Sequence, residues 1–129
     1  MGDNKGLVGY CLEAIYTPLS DHSCLNFMGG AGGTQFHLNP RINAGLVATN
    51  SKRGNWHSEI KHTNNFNFVL NQPTKLKIKI LDQGYDVTTF HDNGAVAMQF
   101  LFAHRLPPAY LAGFKCANVK LEVISFLKE

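Results

Sequence analysis

The stretch TKLKIKIL, residues 74–81, alternates with a period of two. In an extended chain Leu76, Ile78 and Ile80 fall on one face, and Lys75, Lys77 and Lys79 fall on the other. VKLEVISFL near the end repeats the pattern, with Val119, Leu121 and Val123 opposite Lys120 and Glu122. Between them NFNFVL (65–70), YDVTTFHD (85–92) and AVAMQFLFA (95–103) are rich in aromatic and β-branched residues and read as strands. Turn chemistry separates these runs: MGGAGG, KRGN, NQPT, LDQG, HDNG and RLPPA. HDNG is the strongest hairpin signal, because Asn-Gly tolerates the positive φ of a tight turn. Helical periodicity is confined to about one turn near Pro107–Tyr110. Roughly ten short strands joined by tight turns predict an all-β fold, an antiparallel two-sheet β-sandwich.

The chain has 129 residues, expected to form one domain over 1–129, and the hydrophobic share of 44% is enough for a core. The 12 Lys and Arg exceed the 9 Asp and Glu by only three, and they are spread along the chain without a basic block. Neither nucleic acid nor an anionic membrane is therefore expected as the main partner. Membrane insertion is not expected either, since no apolar run reaches spanning length. Cys11, Cys24 and Cys116 are odd in number and lack a CxxC pair, so free thiols are expected rather than a disulfide framework or a zinc site. The opening residues carry no basic region followed by an apolar run and cleavage site. A cytoplasmic location is the expectation.

FHLNPRI, residues 36–42, places His37, Asn39 and Arg41 on one strand face and Phe36, Leu38 and Ile42 mostly on the other. Pro40 deprives the strand of one donor, which suits an edge or a strand end. The following GLVATNSKRGNWHSEIK adds Asn50, the only tryptophan Trp56, and then Glu59 and Lys61, two apart on one strand face. An aromatic plate among an imidazole, amides, a guanidinium and a carboxylate matches the apolar face and hydroxyl rim of a pyranose. A metal site would need more His, Cys or carboxylate, and no cofactor is implied. A glycosidase needs two carboxyl groups across the scissile bond, and this constellation offers only Glu59. The expectation is a binding protein without catalytic residues.

These segments resemble the galectin recognition motif, H-x-N-P-R, then V-x-N, then W-G-x-E-x-R. SCLNFMG, NFNF, FLFAHR and ANVKLEVISF are similar to flanking strands of the family, so that the resemblance covers about residues 22–129. It implies a jelly-roll sandwich, metal-independent recognition of β-galactoside glycans such as lactose or N-acetyllactosamine termini, and secretion without a signal peptide beside the cytoplasmic pool. It also implies that His37, Asn39 and Arg41 hold the axial 4-hydroxyl of galactose. Trp56 would stack on the ring, and Asn50 and Glu59 would bind the 6-hydroxyl. Lys61 stands where the family has an Arg that reaches the second sugar, and a planar fork becomes a point charge there. Ala48, His57 and Asn67 replace the usual Val, Gly and Pro, and the segment between Arg41 and Asn50 is shortened. Single-domain galectins often pair through terminal strands, which makes a homodimer the expected assembly. The alternative is an interaction protein that keeps the sandwich and has lost the sugar. His22, His57, His62, His91 and His104 read as surface or strand-end residues, and the lysine row 75–77–79 as a solvated sheet face.

Overall fold

The computed structural model describes residues 6–30 and 32–129. Among the described residues there are eleven strands: β1 (Tyr10–Pro18), β2 (Cys24–Gly29), β3 (Thr34–Arg41), β4 (Leu46–Arg53), β5 (Asn55–Trp56), β6 (Ile60–His62), β7 (Thr74–Ile80), β8 (Gly84–Phe90), β9 (Val96–Ala103), β10 (Leu111–Ala117) and β11 (Val119–Lys128). A single 3₁₀ turn, Pro108–Tyr110, lies where the sequence places its one helical turn. The strands form a five-stranded sheet in the order β11-β1-β7-β8-β9 and a six-stranded sheet in the order β10-β2-β3-β4-β5, with β6 also on β4. All pairings are antiparallel.

The period-two residues meet between the sheets. Leu12, Tyr16, Leu76, Ile78, Ile80, Tyr85 and Val87 of one sheet pack with Leu25, Phe27, Phe36, Leu38 and Val47 of the other. Each such side chain contributes about 1.5–3 kcal/mol by leaving water. Phe36 stacks on Tyr85 at 4.7 Å between ring centres, joining the layers directly behind the HLNPR row. The same burial that seats Phe36 and Leu38 inward turns His37, Asn39 and Arg41 outward, since a one-residue slip would exchange the two sets.

The structure corrects four expectations. NFNFVL is not a strand: Asn65 and Asn71 take positive φ at its ends, and Asn67 spends its side chain on Phe90 O and Thr89 Oγ1, leaving Phe68 to plug the core against Tyr16. Pro40 lies in a central strand, not at an edge, and is accommodated because β2–β3 pairing stops at Leu25–Leu38. HDNG does form the β8–β9 hairpin, but Gly94 alone takes the positive φ there, with its N–H donated to His91 O. That is the geometry of a type I turn closed by a left-handed glycine. His62 and His104 are half-buried and structural: His62 stacks on Phe100 of the opposite sheet and bonds Thr49 Oγ1, and His104 bonds Leu81 O. Among the described residues no helix is long and apolar enough to cross a membrane.

Candidate functional site

The site lies on the outer face of the six-stranded sheet. Register aligns Asn26 of β2, His37 of β3 and Asn50 of β4 in one row across three strands. One step along the strands, Asn39 pairs with Ala48, and Ala48 with Lys61 of β6. Arg41 ends β3 beside Leu46, closing a hairpin whose four intervening residues turn on Gly45 at φ 66°. This is the shortened segment seen in the sequence.

Each polar group has its internal partners, and what is left over defines the site. His37 Nδ1 meets Asn26 Oδ1 at 2.5 Å, so donating that N–H leaves Nε2 as an acceptor. Burial, and then the nearby Arg41 cation, lower the His37 pKa against an opposing pull from Glu59, which keeps the imidazole neutral. Asn39 donates to Ser23 O at 2.7 Å and accepts from Arg41 Nε at 3.0 Å, which leaves one amide hydrogen. Arg41 grips Glu59 with both terminal nitrogens, at 2.7 and 3.0 Å. Two of its five N–H groups then remain for a ligand. Asn50 accepts from Ser51 N and Arg105 Nη1 and donates to His57 O, again keeping one amide hydrogen.

Trp56 is 47% exposed and pairs with Lys52 across β4–β5, so its indole stands on the same face. Its ring centre is 4.7 Å from that of His37, and Lys52 Nζ lies 5.2 Å from the indole centre. The short link from Trp56 to Glu59 is fastened to β4 three times through His57. His57 N–H bonds Ser51 O, His57 O accepts from Asn50, and the His57 ring meets buried Ser51 Oγ at 2.6 Å. Asn26, Ser51, His57 and Arg105 thus support the residues picked out in the sequence, and the fold is what brings them together. The FLFAHR segment carried the one sequence signal for this layer, in its final arginine. Of the expected residues, His37, Asn39, Arg41, Asn50, Trp56 and Glu59 converge. Glu59 stands just before β6 rather than within it. Lys61 shares the face through its pairing with Ala48, yet it is exposed and does not bridge Glu59. Among the described residues no group of three or more His, Cys, Asp or Glu could hold a metal ion.

A two-sheet antiparallel sandwich carrying this polar row is the architecture of a lectin. The sequence model of the galactoside-binding lectins matches residues 9–126, and the chain belongs to that family, with a single recognition domain. The match starts earlier than the resemblance read from the motifs, because it takes in β1. Among solved structures, the chain is similar to Caenorhabditis elegans galectin LEC-6 (TM-score 0.70, 24% identity, 93% of this chain and 83% of that one). It is likewise similar to a double variant of human galectin-16 (TM-score 0.69, 26% identity, 93% and 86%) and to sheep galectin-11 in complex with glycerol (TM-score 0.67, 25% identity, 91% and 86%). No curated protein matches by sequence.

Proposed function

We propose that the protein is a metal-independent, non-enzymatic lectin for β-galactosides of the lactose and N-acetyllactosamine type. The observation that carries this reading is the set of leftover valences around Trp56. With Nδ1–H given to Asn26, His37 Nε2 can only accept, whereas Arg41 can only donate and Asn39 has one amide hydrogen left to give. A hydroxyl placed between them satisfies all three, because it donates to the imidazole while accepting from the cation. The axial 4-hydroxyl of galactose reaches such a position when the ring lies on the indole. The equatorial hydroxyl of glucose does not, and binding glucose would leave desolvated groups unpaired. Asn50 and Glu59 then face the 6-hydroxyl. The test is retention on a lactose-bearing resin, with elution by lactose and not by glucose, and with EDTA present throughout. Retention that is lost in EDTA and restored by calcium would contradict the metal-independent mode.

The second reading, an interaction protein, draws on one observation. β10 and β11 each lie at the edge of a sheet, paired on one side, and β11 leaves Val123, Ile124 and Leu127 about half or more exposed. Absence of lactose retention together with a dimer mass in sedimentation would favour that reading. With retention, a dimer would give a bivalent lectin.

Lys61 sets the reach beyond galactose. Because Arg41 already holds both Glu59 oxygens, Lys61 offers a single, solvated ammonium to a second sugar. Lactose affinity is expected to lie close to that of methyl-β-galactoside. Lys61→Arg is expected to favour lactose by about 1 kcal/mol, below the roughly 1.5–3 kcal/mol of a fully formed charged bond. Calorimetry with both sugars checks this, and equal gains for the two would show that Lys61 acts on the first sugar instead.

A further inference from the structure

His57 stands where the recognition motif carries glycine, so its ring has no counterpart there. The ring Nδ1 meets Ser51 Oγ at 2.6 Å, and Ser51 is fully buried. The same hydroxyl lies 3.4 Å from Arg105 Nη1, which also donates to Asn50 Oδ1 at 3.1 Å. Arg105 can only donate, so Ser51 Oγ accepts from it and has one hydrogen of its own to give. Among the described residues, His57 Nδ1 is the acceptor within reach of that hydrogen. The bonds therefore run from Arg105 to Ser51 to His57, and the imidazole is neutral with its hydrogen on Nε2.

Protonation breaks this arrangement. Nδ1 becomes a donor, the Ser51 hydrogen is left buried without a partner, and an imidazolium and a guanidinium then face one hydroxyl. Lys52 and Arg53, which pair with Trp56 and Asn55, also oppose a second cation. Glu59 at the end of the link would attract it, but Arg41 already holds both Glu59 oxygens. The exposed ring can escape by turning to water. The link to Trp56 then keeps only its two main-chain fastenings, His57 N–H to Ser51 O and Asn50 to His57 O. Trp56 has little other support, since β5 is a two-residue edge strand. We propose that His57 is a positioning residue for the sugar site, whose neutral ring fixes the Trp56–Glu59 link through Ser51 and whose protonation loosens the link and releases the ligand. The inference rests on the galactoside reading for its ligand. Because the competent site holds the neutral imidazole, binding is full above the histidine range and is lost as pH falls through it. His37 titrates too, but burial, and then Arg41, lower its pKa, so its own loss comes at a lower pH.

The test measures lactose affinity by calorimetry at about pH 7.5 and about pH 5.5 for the wild type, His57→Ala and His57→Asn. Asparagine sets a carbonyl oxygen near the place of Nδ1, where it accepts from Ser51 and does not titrate. Wild-type affinity is expected to fall about five- to tenfold on acidification, the worth of one buried hydrogen bond. His57→Ala should be weakened by a similar factor already at neutral pH, and His57→Asn should restore most of that loss while falling by no more than about twofold on acidification. A wild type that binds equally at both pH values overturns the proposal, as does a His57→Asn variant with the wild-type pH profile. So does a His57→Ala variant that matches the wild type at neutral pH. Ring-nitrogen NMR checks the proton directly: the Nε2–H tautomer of His57 is expected at neutral pH, and the Nδ1–H tautomer overturns the proposal. If lactose does not bind the wild type at neutral pH, the galactoside reading fails separately. The indole N–H signal of the single tryptophan then decides, because it should move with pH more in the wild type than in His57→Asn, and equal movement overturns the positioning role.

Discussion

Trp56→Ala is expected to abolish detectable lactose binding and to leave the melting transition close to that of the wild type. The indole supplies the only broad apolar surface among the ligand-facing groups, and polar groups alone trade water for sugar at little net gain. Losing a central aromatic anchor costs about 2–4 kcal/mol, or roughly 30- to 1000-fold in affinity. The fold should tolerate the change because Trp56 is nearly half exposed and lies outside the buried cluster between the sheets. Its two-residue strand is held by backbone pairing and by His57, not by the indole. Lactose titration of the variant alongside a thermal melt reads both parts. Unchanged affinity would remove Trp56 from the site, and a collapsed melt would make it a core residue.

Gly84→Ala should have the opposite profile, with a large loss of stability and no direct effect on the sugar site. Gly84 opens β8 opposite Ala103 of β9, and a Cβ there would collide with the carbonyl of Phe102 and crowd the Ala103 backbone. These are main-chain atoms of a strand whose Phe102 ring is locked in the core, so they cannot yield by a rotamer change. The expected cost is roughly 3 kcal/mol, at the upper end for overpacking, with a fall in Tm of about 10 °C. Gly54→Ala is the control. Its Cβ would meet open space, and the cost is only that of a left-handed φ of 75°, about 1 kcal/mol. If the melt of Gly84→Ala lies within about 2 °C of the wild type, the β8–β9 contact is looser than the geometry indicates.

Much of this architecture is legible in the chain because strand periodicity is a local property. The alternation in TKLKIKIL assigns faces without knowledge of any neighbour, and FHLNPRI assigns His37, Asn39 and Arg41 to a shared face for the same reason. In VKLEVISFL the reading holds for Val119 and Leu121 but not for Val123, which is exposed beside a break in register. NFNFVL shows the limit of such reading. Its aromatic content is that of a strand, but the backbone goes where Phe68 can fill the core and Asn67 can reach Thr89 and Phe90.

From composition and spacing alone came an all-β sandwich, the outward row ending in Arg41, and the pairing of that row with a single tryptophan and Glu59. Those features depend on the order of residues along short segments. The partners behind them could not be read that way. Asn26 lies eleven residues from His37, and Arg105 lies 55 from Asn50, and they meet only because β2 pairs with β3 and the chain after β9 returns across the sheet. The charge distribution followed the same rule. Twelve cations spread along the chain without a basic block argued against nucleic acid or an anionic membrane as the main partner, and only antiparallel pairing of β4, β6 and β10 with their neighbours sets Lys52, Lys61 and Lys115 on one face, while Glu13, Asp86 and Glu122 go to the other sheet. Sequence separation carries no information about which strands become neighbours, and a ligand feels the field at a surface, not the order of charges along a chain.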